Sequence, residues 1–258
     1  MASGQVSEAP AAGDRRAALV TGAAGGIGRA IAARLERDGL GVLSVDLRPD
    51  AEGPGVPFEA DLTREPDNQA AVAAAIERFG RLDVVVAGAG YQHVAPIAEL
   101  QVERWRSMID LMLTSPFLLA RAAWPSLRAS PAGRFIAIAS VHGLVASPFK
   151  APYVSAKHGL IGLVRTLALE GAEDGIAAIA VCPGYVRTPL VQAQIADQAR
   201  AHGLAEEEVL ERVILAPHAI KQLLEPEEVA DVVALLAGPA GRAFTGAPVT
   251  MDLGWTAR

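Results

Sequence analysis

Tyr153 and Lys157 stand four residues apart in the run Tyr153-Val154-Ser155-Ala156-Lys157. That spacing puts both side chains on one face of a helix. A phenol does not readily lose its proton near neutral pH. A neighbouring ammonium favours the phenolate and lowers its pKa. Such a tyrosine can take a proton from an alcohol or give one to a ketone. Ser140 ends the strand-like run before this helix, where its hydroxyl could hydrogen-bond the same oxygen. Taken alone, a Tyr-x-x-x-Lys pair reads as an ordinary surface pair. A second feature, near the N-terminus, gives it weight.

There, Thr21-Gly22-Ala23-Ala24-Gly25-Gly26-Ile27-Gly28 follows a short apolar strand and opens a helix. Glycines at such a turn let backbone approach a pyrophosphate, and the helix N-terminus favours its negative charge. The spacing is G-x-x-x-G-x-G, carried by Gly22, Gly26 and Gly28. Asp46 ends the second strand, where an acid meets the ribose hydroxyls of a dinucleotide. A carboxylate there repels a 2′-phosphate, which favours NAD over NADP, although Arg48 close by keeps NADP open. Asp61-Leu62 ends the third strand. Asp61 either faces an adenine edge or caps the next helix.

These residues need strands and helices in alternation to position them. Strands are expected at 17–20, 41–45, 56–60, 82–86, 135–139, 176–181 and 248–251. Helices are expected at 27–37, 68–79, 102–127, 153–169 and 227–236, with Pro116 as the place for a break in the third. Apolar strands alternating with amphipathic helices imply an α/β, Rossmann-type fold: a doubly wound, seven-stranded parallel sheet with helices on both faces. A single domain is expected over residues 15–258, after a disordered tail at 1–14. The stretch 189–224, with an acidic helix at 206–213, is a helical insertion. It reads as a lid over the strand ends or as a plain surface loop.

Composition narrows the partners. The 258-residue chain is 51% apolar and carries a formal net charge of −6. It offers no electrostatic reason to bind nucleic acid or an anionic membrane. No apolar run is long enough to cross a bilayer, and the first residues lack the apolar core of a signal peptide. Cys182 is the one cysteine, so no internal disulfide can form, which suits the cytoplasm. It reads as buried packing rather than a nucleophile. No metal is expected.

With these motifs in view, the chain resembles the short-chain dehydrogenase/reductase family over nearly all of residues 15–255. The resemblance lies in the glycine motif, Asp46, Ala89-Gly90 after the fourth strand, Ser140, Tyr153, Lys157, and Pro183-Gly184-Tyr185-Val186-Arg187-Thr188 after the sixth. It implies that Ser140, Tyr153 and Lys157 are catalytic and that Lys157 also holds a ribose. It implies a cofactor site of Thr21, Gly22, Gly26, Ile27, Gly28, Asp46, Asp61, Leu62, Ala89 and Gly90. Pro183, Gly184, Val186 and Thr188 complete that site by contacting the nicotinamide.

Within the family, the substrate-side segments are similar to those of bacterial D-3-hydroxybutyrate dehydrogenases. These are Gln92-His93-Val94-Ala95-Pro96-Ile97, Ala139-Ser140-Val141-His142-Gly143-Leu144-Val145, Lys150-Ala151-Pro152-Tyr153, and Thr188-Pro189-Leu190-Val191-Gln192 with Gln194 following. The resemblance implies that Gln92, His142, Lys150 and Gln194 hold the carboxylate of a small hydroxy acid, while Ser140 and Tyr153 take its hydroxyl. A cation with amide and imidazole donors suits a carboxylate. The implied reaction interconverts (R)-3-hydroxybutyrate and acetoacetate with NAD, in a homotetramer.

Two departures stand out. Ala87-Gly88-Ala89-Gly90 replaces the family's Asn-Asn-Ala-Gly, and Gly88 is expected to loosen that wall. Met112 stands where the family carries an Asn that helps hold a relay water. A thioether is a poor acceptor and cannot donate. Asp110 and Thr114 point elsewhere on a regular helix. Two rivals follow: a dehydrogenase of another hydroxy acid or secondary alcohol, or a weakly catalytic NAD-binding protein.

Overall fold

Ala17-Ala18-Leu19-Val20-Thr21 is buried at every position, as a strand covered on both faces must be. This is β1 (Ala17–Thr21) in a computed structural model that describes residues 15–257. The expected tail at 1–14 lies outside the described residues. Six more strands follow: β2 (Gly41–Asp46), β3 (Val56–Glu59), β4 (Val84–Ala87), β5 (Arg134–Ile138), β6 (Ala177–Pro183) and β7 (Pro248–Met251). All pair in parallel, in the order β3-β2-β1-β4-β5-β6-β7. The order reverses at β1, between β2 and β4, which opens a crevice at the carboxyl ends of those strands.

The helices cover both faces. On one, α1 (Gly26–Arg37) and α9 (Pro226–Ala237) bury Ile31, Leu35, Val229 and Val233 against Val20, Val84 and Ile179. On the other, α2 (Glu65–Phe79), α4 (Ser115–Ala129) and α5 (Ala151–Glu170) bury Val72, Leu119 and Leu160 against Leu19, Val85 and Phe135. Pro66 and Pro152 each sit in the first turn of their helix, where the missing N–H costs nothing. That is why α2 and α5 begin earlier than hydrophobic periodicity alone suggests.

The expected helix over 102–127 is divided differently from the sequence reading. α3 (Val102–Ile109) runs into a π-helical turn at Asp110–Thr114, and α4 continues from Ser115. In an unbroken α-ladder, the Met112 carbonyl would need the N–H that Pro116 lacks. The helix takes in one extra residue upstream instead of breaking at the proline, and Ser115 N donates to Asp110 O.

Between β6 and α9 lie α6 (Pro189–Ala193), α7 (Ile195–His202) and α8 (Glu206–Val209), followed by a π-helical turn at Leu210–Ile214. These pack around their own small core of Tyr185, Ala199, Val209 and Ile214.

Asp83 fastens the amino-terminal edge of the sheet. It is fully buried. Its carboxylate accepts from Ala17 N at 2.8 Å, from Arg81 Nε and Nη2 at 2.8 and 2.7 Å, and from Ser130 Oγ at 2.5 Å. Burial opposes its charge, but the hydrogen bonds from Arg81, Ser130 and Ala17 outweigh it, so its pKa lies below the usual carboxylate range. Asp83→Ala should cost about 3 kcal/mol in urea unfolding. A folded-state pKa below the unfolded one gives stability that is present above the unfolded value and lost as pH falls through the folded one. The variant should therefore lose part of the wild-type acid dependence. Equal midpoints and equal acid slopes would show that Asp83 is not this anchor.

Candidate active site

The turn between β1 and α1 takes its shape from two glycines. Gly22 has φ 72°, and a Cβ on Gly28 would lie 2.1 Å from the Gly22 carbonyl oxygen. Only glycine fits that approach. Gly25 precedes α1 with no side-chain cap, so the first N–H groups of the helix are free for an anion. In front of them runs a groove of about 690 Å³, lined by Gly22, Gly26, Asp46, Asp61, Leu62 and Ala89, among others. Asp46 Oδ2 accepts from Ala24 N at 3.1 Å and Oδ1 from Arg48 N at 3.2 Å, which fixes the carboxylate at the end of β2. A glycine cradle, an uncapped helix start and an acid at the second strand end together fit a dinucleotide.

Other predicted cofactor residues take different positions. Thr21 is buried behind the groove, and its hydroxyl accepts from Gly88 N at 2.9 Å and Ala89 N at 3.1 Å. The wall expected to be loose at Gly88 is thus braced from β1. Asp61 lines the groove but gives no cap to α2. Its Oδ1 accepts from Thr63 N at 3.1 Å and Thr63 Oγ1 at 2.6 Å, closing the turn ahead of that helix. Thr188 lines the groove, Pro183 and Gly184 lie with Tyr153 and Lys157 at its inner end, and Val186 lies beyond.

That inner end opens into a narrow cavity of about 70 Å³. Gln92, Ser140, His142, Lys150, Tyr153 and Gln194, all six predicted substrate residues, line it together. Two come from α5 and its entry, Lys150 and Tyr153, and Lys157 follows them at helical spacing on the same face. Phe149, just before, takes φ 67°, a left-handed conformation uncommon for a bulky residue. Its carbonyl is tied to Ala95 N at 2.9 Å. Backbone strain of this kind gathers at functional sites.

The electrostatics are set by burial. Lys150 is 2% exposed, and its Nζ donates to the Tyr185 hydroxyl at 2.7 Å. Desolvation pulls its pKa down to about 8. Lys157 Nζ donates to the Ile138 carbonyl at 2.6 Å, and desolvation brings it to about 8 as well. His142 is lowered to about 3, first by burial and then by the charge of Lys150, so its imidazole is neutral. Its Nε2 pairs with Ser147 Oγ at 2.9 Å, and its backbone N donates to Ser140 Oγ at 3.1 Å. Tyr153 departs from the sequence expectation. Burial raises its pKa, and the influence that lowers it is a hydrogen bond with Ser140 rather than the Lys157 charge, which lies 5.5 Å from the ring centre.

Gln92 Oε1 accepts from His93 N at 3.0 Å, which turns its amide nitrogen outward from that bond. Gln194 donates Nε2 to Leu190 O at 3.0 Å and leaves Oε1 buried without a partner. Its second amide N–H remains available to a carboxylate. Met112, 1% exposed, packs with Met108 and Ala156 beside Tyr153, and its sulfur lies against Gly90. Trp255 lines the cavity and stacks on Tyr185 at 5.6 Å and 12°. Ser147 and the Tyr185 hydroxyl were not read from the sequence as partners of His142 and Lys150. Nothing in local spacing signals them, because loop and strand meet only in the fold.

Comparison with known proteins agrees with this geometry. Residues 16–199 match the short chain dehydrogenase family, and the chain belongs to it. It is an oxidoreductase of that family, acting on CH–OH groups with a nicotinamide dinucleotide. It is 42% identical to the D-beta-hydroxybutyrate dehydrogenase of Rhizobium meliloti, over 94% of this chain and 99% of that one. It is 36% identical to the D-beta-hydroxybutyrate dehydrogenase of Cupriavidus necator, over 94% and 98%. Among solved structures, it superposes on Thermoplasma acidophilum aldohexose dehydrogenase with a TM-score of 0.86 at 28% identity, covering 95% of each chain.

A lysine whose folded-state pKa is depressed destabilises the native state wherever it is charged. The unfolded chain binds the extra proton between about pH 8 and 10.5, so stability rises with pH across that window. Lys150→Met should therefore be more stable than wild type at pH 7, by roughly 2–3 kcal/mol, with the gap closing towards pH 10.5. Thermal melts at both pH values test this. A variant no more stable at pH 7, or a gap that ignores pH, would show that the buried charge is not a cost.

Proposed function

We propose that the protein interconverts (R)-3-hydroxybutyrate and acetoacetate with NAD. The observation that carries this reading is the gathering of Ser140, Tyr153, His142 and Lys150 in one narrow cavity at the inner end of the dinucleotide groove. The choice of NAD rests on Asp46, whose fixed carboxylate disfavours a 2′-phosphate. The 42% identical relative supports the choice of substrate.

In the oxidising direction, Lys150 and an outward Gln92 amide bind the substrate carboxylate and set the carbinol against Ser140 and Tyr153. Neutral His142 holds Ser140 through its backbone and closes the wall. After releasing its own phenolic proton to solvent, the Tyr153 oxygen takes the hydroxyl proton, with Ser140 hydrogen-bonded to the same oxygen. Lys157 Nζ, near pKa 8, can hold or release a proton at neutral pH and binds the ribose. NAD, held by the Gly22–Gly28 turn and Asp46, would supply the hydride acceptor. The segment at 189–224 supplies Leu190, Val191 and Gln194 to the cavity and acts as a lid that excludes water.

The same proposal takes residues 15–258 as one nucleotide-binding domain, working in the cytoplasm as a homotetramer. Exposed Trp105, Phe117 and Leu169 on α3, α4 and α5 support an assembly. Among the described residues, no helix is long and apolar enough to cross a membrane.

NADH formation should be rapid with (R)-3-hydroxybutyrate, slow with the (S) enantiomer, and reduced at least about a hundredfold in Tyr153→Phe. Turnover that ignores the enantiomer, or survives in the variant, contradicts the assignment.

A second reading, weak catalysis, rests on the apolar packing of Met112 beside Tyr153. If an amide is missing from a proton path, Met112→Asn should raise kcat more than it changes KM. An unchanged kcat in a folded variant would show that no such path is limiting.

A further inference from the structure

Beyond the reaction cavity lies a chamber of about 490 Å³ between the loop at Ser147 and the helices of the 189–224 segment. The two spaces share Lys150, Tyr185 and Trp255. Tyr185 and Trp255 stack, and the Lys150 ammonium is bonded to the Tyr185 hydroxyl, so these side chains form a partition with a buried cation in it.

A polar stripe runs from one space to the other. Gln194, Gln198 and His202 follow at intervals of four, on one face of α7 and its entry. Gln194 lines the reaction cavity, whereas Gln198 and His202 line the chamber. Gln198 is 1% exposed and lines the chamber wall, and the structure records no protein group among the described residues that holds its side-chain amide. An amide at a chamber wall with no protein partner is open to donate to a ligand. Arg212 and His202 lie at the exposed rim, and no carboxylate side chain lines the chamber. Arg212 is also paired with Glu208 on its own turn.

A chamber-facing amide, a buried ammonium and a basic rim suit an oxyanion. The four-carbon acid has no use for this volume, since its carboxylate already reaches Lys150. We infer that the chamber is a second subsite, which receives the carboxylate of longer hydroxy acids whose carbinol stays at Ser140 and Tyr153. This rests on the reaction proposed above. A lengthened chain carries its carboxylate past the partition to Gln198.

The test uses hydroxy acids that keep the CH3–CHOH end and lengthen the spacer, from 3-hydroxybutyrate through 5-hydroxyhexanoate to 6-hydroxyheptanoate. NADH formation is measured for each. Binding of butyrate through heptanoate, which cannot react, is measured separately by calorimetry. The longer acids should bind and turn over in the wild type. Gln198→Leu should raise their KM and weaken heptanoate binding about tenfold, the loss of one hydrogen bond to a charged group, while leaving 3-hydroxybutyrate within about twofold. Gln198→Glu keeps the side-chain shape and adds repulsion, and should weaken heptanoate binding further.

Affinity that falls steadily with length, or a Gln198→Leu effect equal at every length, would overturn the subsite. Turnover of 3-hydroxybutyrate with no binding of longer acids would overturn the subsite and leave the reaction standing. Binding of heptanoate that depends on Gln198, without turnover of 3-hydroxybutyrate, would support the subsite and overturn the reaction.

Discussion

Two ammonium groups are buried at this site with no carboxylate beside either one among the described residues. Lys150 rests on a phenol oxygen and Lys157 on a backbone carbonyl. Neutral oxygens do not repay the desolvation of a cation, and the lowered pKa values express that deficit. Only the surrounding fold can hold the pair there. α5 is anchored by Leu160, Ile161 and Val164 against the sheet, and Phe149 is held in a left-handed conformation at its entry. The stability of the helix and sheet therefore sustains a local charge that an anionic substrate would neutralise.

The parallel order β3-β2-β1-β4-β5-β6-β7 explains why chemistry collects where it does. Every strand ends on the same side, so the β1–α1 turn, the segment after β4, Ser140 after β5 and the loop after β6 meet along one crevice. Leu190, from the segment after β6, borders both the dinucleotide groove and the reaction cavity. The crevice is widest along the cofactor groove, tightest at Tyr153, and wide again beyond Trp255. The tight middle aligns the reacting atoms.

Much of this was legible in the chain, because it follows from period and position. Alternating strand and helix patterns gave the sheet and its helices, and a spacing of four joined Tyr153 to Lys157. What could not be read depends on contacts between distant segments. The Lys150–Tyr185 bond spans 35 residues, and Thr21 braces Gly88 and Ala89 across 67 and 68. The direction of the Tyr153 shift was misjudged because sequence shows a neighbouring charge but not the depth of burial. The π-helical turn came from a proline whose presence was read correctly, but whose effect moved upstream by a few residues.

Cys182 lies in β6 on the inner side of the reaction wall, fully buried, with its thiol pushed up to about 11 by desolvation. It is the chain's only sulfhydryl. A thiol so rarely ionised and so enclosed is a poor target for peroxide or disulfide exchange. The enzyme is therefore deaf to the thiol poise of its surroundings. Its redox coupling runs through the nicotinamide dinucleotide rather than through this thiol.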